Sequence, residues 1–545
     1  MTANRDRQPI TRRAFMGAAA TLAAGTAGLI AAGCGPGDDD DATPAGSLSP
    51  SPEGAAATAQ PRRGGSLRTN QTGDIVLNSG YPFVVAPQNR MLPWMLSEAL
   101  VRYRSDIAKP ELVLADRFEY NADRTGLTIA IKPGVTFHNG APVTPEDVFF
   151  GIDFNLDPKQ FGVTTAGTMS ALAKAIVDRK KLDDRTMQFT FDRPRYDMTG
   201  FFVGLNITQQ SSFAKLLTGE TVQGTGPYMF KDWTPGVGYT LAGNPNWHLS
   251  ASEGGPYLDE VRVKVFADDD AAANAFEAGE LDIAFRLPGA SAKRFRERVS
   301  TAPRIGGLIL AMVVKNPLLA DKRVRQALFL AVDKKRIADE IGEGFYAATS
   351  QLWPEYSPAF DPALETPSYN LEKAKSLLKE AGFSQSAPLA IEYSQRSTAS
   401  VTVIQKDFEA IGVKTELVPV DAAALVTRIR NRQIQDIVAS GTNFGDPIPA
   451  SALRGNGNIN IPNVSYQESP ELAEILQKVG TVDPLSDDAK ALYARFNKLW
   501  MDDPWIIPME PSGALDVVGK NVQGFGEYFV QPLQAPNFGK IWLKA

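Results

Sequence analysis

The 545-residue chain is 43% hydrophobic and 22% charged, ordinary globular material long enough for two or three structural units, so a wholly disordered chain is excluded. Its formal net charge is −6, yet residues 1–33 set Arg5, Arg7, Arg12 and Arg13 against Asp6 alone, which leaves the remainder more acidic still. An acidic body argues against a nucleic-acid partner, whose phosphates require basic surface. With Cys34 the only cysteine and His138 and His248 the only histidines, no internal disulfide or thiolate metal cluster can form and general-base chemistry is restricted; no cofactor and no metal site are expected.

Thr11-Arg12-Arg13-Ala14-Phe15-Met16 precedes a small-residue, weakly apolar stretch from Met16 to Ala32, the build of a twin-arginine export signal over residues 1–33. Ile30-Ala31-Ala32-Gly33-Cys34 then resembles the lipobox of bacterial lipoproteins, with Ala31 where that pattern usually has leucine. The resemblance implies that the Cys34 thiol carries diacylglycerol and that Cys34 begins the mature protein. A lone buried cysteine and a permanent transmembrane anchor are the alternatives, but a buried cysteine should not sit just after a basic stretch and an apolar run, and that run is short and weak for a spanning helix. Residues 34–63, with Asp38 to Asp41 among Ala, Pro, Ser, Thr and Gly, are too polar to bury a core and read as a lipidated, disordered tether.

From Gly64 onward strand alternation and helical periodicity follow one another, and no second stretch is long and apolar enough to span a membrane. Leu127, Ile129 and Ile131 alternate as a strand closed by Lys132-Pro133-Gly134, and Val135 to Phe137 leads into the turn pair Asn139-Gly140. Thr144 predicts a helix cap with Pro145 at the first position and Val148, Phe149, Ile152 and Leu156 on one face. Val261, Val263 and Val265, an Ala-rich helix ending at Gly279, and Leu281, Ile283 and Phe285 predict a strand–helix–strand unit. Asp321 caps a helix with Val324, Ala327, Leu328, Ala331 and Val332 inward; Asn370 starts another, stopped by Gly382. Between Gln405 and Ala439 the order is helix, strand, helix, strand. Mixed α/β lobes are the expected class.

Taken in order, these segments resemble the extracellular family 5 solute-binding proteins of peptide, nickel and related ABC importers over nearly the whole chain. The resemblance is carried by Gly64 to Arg68, Ser97 to Tyr103, Lys132 to Gly140 with Thr144 to Val148, Gly224 to Tyr228, Asn244 to Trp247, Asp321 to Asp333, Glu380 to Phe383, Pro504 to Pro508 and Asn521 to Phe525. It implies an α/β, two-lobed periplasmic-binding-protein-like fold (type II) with an additional subdomain on the first lobe. Lobe I would comprise 64–110, 226–318 and 512–545, the inserted subdomain 111–225, and lobe II 319–511. It further implies a monomeric receptor on the extracytoplasmic face of the cell membrane, working with permease and ATPase subunits and closing on a small solute or short peptide.

Gln395-Arg396 resembles the pair that offers an arginine to a ligand carboxylate in dipeptide-binding relatives, and a guanidinium fork suits that task because it donates two parallel hydrogen bonds and keeps its charge. Gly441 to Pro447 resembles the loop that brings an aspartate to a peptide's amino group; here Asn443 takes the aspartate's place, and an amide cannot neutralise an ammonium. Asp446 is the nearest substitute, with turn capping as its other reading. Tyr81, Trp94, Trp353 and Phe444 are the aromatic candidates for the cleft, with core packing as their alternative. Trp247 and Trp505 are assigned to structure, and His138 to a turn. Within the binding role, an oligosaccharide, opine or other anionic conjugate is the alternative to a peptide, and a sensor feeding a signalling receptor the alternative to transport. A secreted hydrolase is the rival class; the chain offers it two histidines and no Gly-x-Ser-x-Gly elbow. The absence of a Gly-x4-Gly-Lys-Ser/Thr loop leaves the ATPase to another chain.

Overall fold

The computed structural model describes residues 60–544 apart from 80, 84–88, 90, 105–109, 164–168, 302–305, 365–367, 445, 447, 513–514 and 529–535. Cys34, the export signal and most of the tether lie outside the described residues.

The opening strand Ser66–Thr72 buries Leu67 and Thr69 and lies at the middle of a seven-stranded sheet. It runs parallel to Glu260–Phe266 in register from Ser66↔Glu260 to Thr72↔Phe266, and on its other side Thr69 meets Ile283. The unit predicted over 261–285 is therefore present, with the opening strand between its two strands. Its helix, Asp269–Glu277, starts where Asp268 accepts from the Ala271 N–H at 2.7 Å. Gly238–Gly243 and Tyr228–Thr234 extend one edge, and Leu515–Val518 and Val299–Thr301 the other.

Residues 115–191 form a separate four-stranded antiparallel sheet in the order Ala115–Tyr120, Gly126–Ile131, Thr186–Phe191, Ile176–Lys181. Leu127, Ile129 and Ile131 all point inward. Helix Pro145–Leu156 packs on this sheet, and Asp147 returns a carboxylate oxygen to the Thr144 N–H at 3.0 Å. Val148 and Ile152 are fully buried, while Leu156, predicted on the same face, is exposed because the chain leaves the helix at Asp157.

The second lobe is built on a five-stranded mixed sheet, Thr415–Pro419, Leu389–Tyr393, Ile437–Asn443, Gly306–Met312, Ile506–Ser512. Helix Lys322–Ala331, capped by Asp321 on the Arg323 N–H (2.8 Å), packs beside helix Leu371–Glu380, capped by Asn370 on the Lys373 N–H (2.9 Å). One boundary differs from the expectation that 226–318 belongs to lobe I. Strand Gly306–Met312 pairs with Ile437–Asn443 and Ile506–Ser512, so the chain crosses into the second sheet between Thr301 and Gly306, before residue 318. It returns between Ser512 and Leu515.

Among the described residues, lobe II touches the first lobe and the inserted subdomain at separate points. Residues 343–345 grip the first lobe through Lys293–Glu343 (2.8 Å) and through Arg296, which donates to the Glu343 carbonyl at 2.6 Å and stacks over Phe345. On the subdomain, the Tyr196 N–H donates to the Gly480 carbonyl at 2.8 Å and Ser451 Oγ to the Asp197 carbonyl at 2.9 Å.

Candidate ligand cleft

Arg396 stands on the short turn Gln395–Ser397 between strand Leu389–Tyr393 and helix Thr398–Ala410. Its side chain is 66% exposed, and Nη2 lies 3.9 Å from Oδ2 of Asp269, the first residue of the lobe I helix Asp269–Glu277. The Asp269 Oδ1 already accepts from Thr72 Oγ1 at 2.5 Å. A solvated pair at that separation is worth at most about 1 kcal/mol, so the Arg396 fork remains open to a stronger anion.

On the first lobe, Arg286, which sequence reasoning did not single out, follows the short strand Ile283–Ala284. Asn70 holds the backbone just before it from both sides, accepting from the Phe285 N–H (2.7 Å) and donating to the Phe285 carbonyl (3.3 Å). Arg286 itself takes φ +56°, a left-handed conformation uncommon for a side-chain-bearing residue, with its N–H donating to Asp516 Oδ1 at 2.9 Å. Asp516 also accepts from the Tyr528 hydroxyl at 2.9 Å. Burial lowers the Arg286 pKa from its ordinary value, the Asp516 charge works the other way, and the like charge of Arg396 lowers it further. No sequence motif marks Arg286, because its distinguishing feature is a backbone angle.

The aromatic candidates are dispersed. Trp353 and Phe444 are fully buried and meet edge to face, ring centres 5.1 Å apart, within lobe II; Phe496 packs on Trp353 and its Nε1 donates to Asn497 Oδ1 at 2.9 Å. As placed, the pair fills the lobe core. Tyr81 is fully buried in lobe I, its hydroxyl 3.4 Å from Ser97 Oγ, and burial pushes the phenol pKa up. Trp94, on helix Met91–Leu96, is partly buried, and its indole N–H has no hydrogen-bond partner among the described residues. Asn443 ends strand Ile437–Asn443 opposite Gly306, and its side chain lies outside the described part.

Asp446 is buried against the inserted subdomain. Its Oδ1 accepts from the Ile448 N–H at 2.9 Å, the turn-capping geometry, and Oδ2 lies 2.5 Å from where a Cβ on Gly200 of helix Met198–Gly204 would stand. Burial, reinforced by the nearby Asp197 charge, pushes the Asp446 carboxyl up to about 7.

Both histidines have structural partners. His138 accepts from the Gly224 N–H at Nδ1 (3.3 Å) and its Nε2 lies 3.2 Å from the Gly226 carbonyl; burial pushes its pKa down to about 4. His248 Nε2 is 2.8 Å from Glu98 Oε2, and Trp247 donates to Glu98 Oε1 at 3.1 Å. The Trp505 indole donates to the Asn458 carbonyl at 3.2 Å. Among the described residues no three His, Cys, Asp or Glu side chains gather as a metal site, and no helix is long and apolar enough to cross a membrane.

Two lobes joined by two crossings, with Arg396 of the second directed at Asp269 of the first, have the architecture of a solute-binding protein. Residues 109–458 match the family model of bacterial extracellular solute-binding proteins, family 5 Middle, and the chain belongs to that family. It is 24% identical to the oligopeptide-binding protein AppA of Bacillus subtilis, over 91% of this chain and 95% of that one. Its fold matches the ABC transporter-associated periplasmic binding protein DppA from Helicobacter pylori, solved with the peptide STSA (TM-score 0.73, 20% identity, 89% of this chain and 99% of that one). The binding protein AgaA of A. tumefaciens R10, solved with agropinic acid, matches with TM-score 0.72 at 20% identity, covering 88% of this chain and all of that one. The chain is thus a bacterial extracellular solute-binding protein of family 5.

Proposed function

We propose that this chain is a lipid-anchored receptor that captures a short peptide with a free carboxylate between its lobes and delivers it to the permease and ATPase subunits of an importer. The observation that carries the reading is the placement of Arg396: an open guanidinium fork at the end of a lobe II strand, directed at lobe I and held there only by a weak pair with Asp269. The peptide-binding relatives support the ligand class. Cys34, after its export signal, supplies the anchor, and tethering beside the importer raises the receptor's effective concentration there.

A second reading, a non-peptide anionic solute, is favoured by the amine side. Asn443 cannot neutralise an ammonium, and Asp446 is buried in a turn. AgaA, with agropinic acid, shows that this fold accommodates such a molecule.

Mass spectrometry of the solute released on gentle denaturation of the purified protein tests the reading. A peptide supports the first form and an anionic non-peptide the second; turnover of esters, peptides or glycosides would replace the receptor role with a hydrolase. The anchor is tested separately by fractionating cells that express Cys34→Ser, which should move the protein from membrane to soluble extracytoplasmic fractions.

A further inference from the structure

Helix Met198–Gly204 of the inserted subdomain meets Asp446 and helix Pro449–Gly455 of lobe II with no room between them. A Cβ on Gly200 would stand 2.3 Å from Ser451 Oγ and 2.5 Å from Asp446 Oδ2, and one on Gly480 would stand 2.8 Å from Asp197 Oδ2. Two glycines, one on each side, therefore set the distance at which the parts meet. Hydrogen bonds cross in both directions, from the Tyr196 N–H to the Gly480 carbonyl at 2.8 Å and from Ser451 Oγ to the Asp197 carbonyl at 2.9 Å. The chain enters the subdomain after strand Ser66–Thr72 and leaves it into Tyr228–Thr234 of the same lobe I sheet, so these contacts join the lobes where no chain crossing does.

The charges at this seam are paired but incompletely bonded. Asp197 is fully buried, and its Oδ2 takes Arg195 at 3.2 Å and Arg454 Nε at 3.1 Å. Its Oδ1 has no hydrogen bond among the described residues, and neither does Arg454 Nε, for all its closeness in charge. Water would satisfy both groups, so the joined seam gains little over the parted one, and polar contacts of this kind between parts of a chain permit motion. Asp446 adds a condition. It faces Asp197 and the Tyr103 phenol, no ion pair among the described residues engages it, and Arg195 is shared between Asp192 and Asp197. Its partners are the Ile448 N–H and the Ser451 hydroxyl, and the Ser451 proton already goes to the Asp197 carbonyl. Ser451 can thus accept from a protonated Asp446 but has no proton left for a carboxylate, and two ionised carboxyls in one dry seam repel each other.

We propose that this seam is a latch that engages when the lobes close over a solute and parts when they open, with Gly200 as its seat and a proton on Asp446 as the condition for engagement. Asp446 takes the proton from water on closing and returns it on opening; no other covalent bond changes. The proposal rests on the receptor reading above and adds its regulation: acid favours the closed, solute-holding form and a rise of pH through neutrality favours release. In the parted seam Asp446 has its ordinary value, about 4, and in the joined seam about 7. The joined form therefore binds more protons, and its advantage is fully present below about 4 and lost as pH rises through about 7.

The Tyr196 amide donates across the seam and so reports its parting, whereas the Phe191 amide, held by the Thr125 carbonyl at 2.8 Å, reports the subdomain itself. The test is hydrogen exchange at these two amides in the full chain, corrected for the intrinsic pH dependence of exchange, for wild type, Gly200→Ala, Asp446→Asn and Ser451→Ala. Tyr196 protection in the wild type should be about tenfold or more lower at pH 8 than at pH 5, with Phe191 unchanged. Asp446→Asn, which keeps both hydrogen bonds without titrating, should remove that dependence. Gly200→Ala should lower Tyr196 protection about tenfold or more at both pH values and leave Phe191 protected, the scale of one overpacked contact. Equal Tyr196 protection in wild type and Gly200→Ala overturns the proposal, as does wild-type protection that is the same at pH 5 and pH 8. So does loss of protection at Tyr196 and Phe191 together, which makes the seam part of one fixed body. If Gly200→Ala does not fold, Ser451→Ala decides: lower Tyr196 protection upholds the latch and unchanged protection overturns it. No solute enters the measurement, so a failed latch leaves the receptor role standing, whereas enzymatic turnover would remove the receptor role without touching the exchange result.

Discussion

Arg454 of the second lobe and Asp197 of the inserted subdomain form an ion pair at 3.1 Å, with the Asp197 carboxylate fully buried and Arg195 on its other side at 3.2 Å. One carboxylate thus serves two largely buried guanidinia at the seam between subdomain and lobe II. Replacing Asp197 with Ala leaves Arg454 without its carboxylate, while Arg195 keeps its bidentate pair with Asp192 (2.9 Å at each oxygen), and breaking a buried pair from one side costs roughly 3–5 kcal/mol. The melting temperature should fall by several degrees; an Asp197→Ala variant melting with the wild type would show that the seam is not a stabilising contact.

Asp446 lies at the same seam, its carboxyl pushed up to about 7 by burial and by Asp197. Below its ordinary unfolded value, about 4, both folded and unfolded chains are protonated and the contribution to stability is fully present. Between about 4 and 7 the folded chain keeps a proton that the unfolded chain has released, so stability is lost as pH rises through that window. Asp446→Asn removes this dependence. Melting temperatures at pH 5 and pH 8 should therefore favour wild type more at the lower pH, and a wild-type-minus-variant difference that does not change with pH refutes the assignment.

Trp353→Ala empties a space lined by Phe444 and Phe496 and leaves Asn497 Oδ1 without its donor. Loss of a buried large aromatic costs about 3–5 kcal/mol. Stability should drop by that scale in thermal or urea unfolding, while the affinity of the folded variant for the native solute changes little. A large affinity loss with unchanged stability would move Trp353 from the core to the cleft.

Arg396→Ala removes a fork that Asp269 engages only weakly. An acidic solute should lose about 1.5–3 kcal/mol of affinity by calorimetry, since hydrogen bonds to charged groups are of that size. Stability should be unaffected because the side chain is largely solvated. Unchanged affinity would take Arg396 out of the site.

Several of these features were legible one residue at a time. Thr144, Asp321 and Asn370 announce helix starts because a side chain beside a helix end satisfies donors that its own segment leaves unpaired. Gly134 and Gly140 mark turns because the chain there takes φ +77° and +83°, which glycine alone adopts without strain. The resemblance points to Arg396, which stands at the end of a lobe II strand beside Asp269. Trp353, Phe444 and Tyr81 were not legible, since an aromatic near an element boundary reads the same whether the tertiary fold turns it to a cleft or to a core.

By itself the sequence determined the caps, the turns, the strand alternation and, through them, the mixed α/β class, because each depends on residues within a few positions of one another. The three-dimensional structure alone decided which sheet receives strand Gly306–Met312, since an apolar strand does not specify its partner until others are present to pair with it. It alone set Arg396 of lobe II beside Asp269 of lobe I, because charges on two lobes meet only when the chain crosses between them.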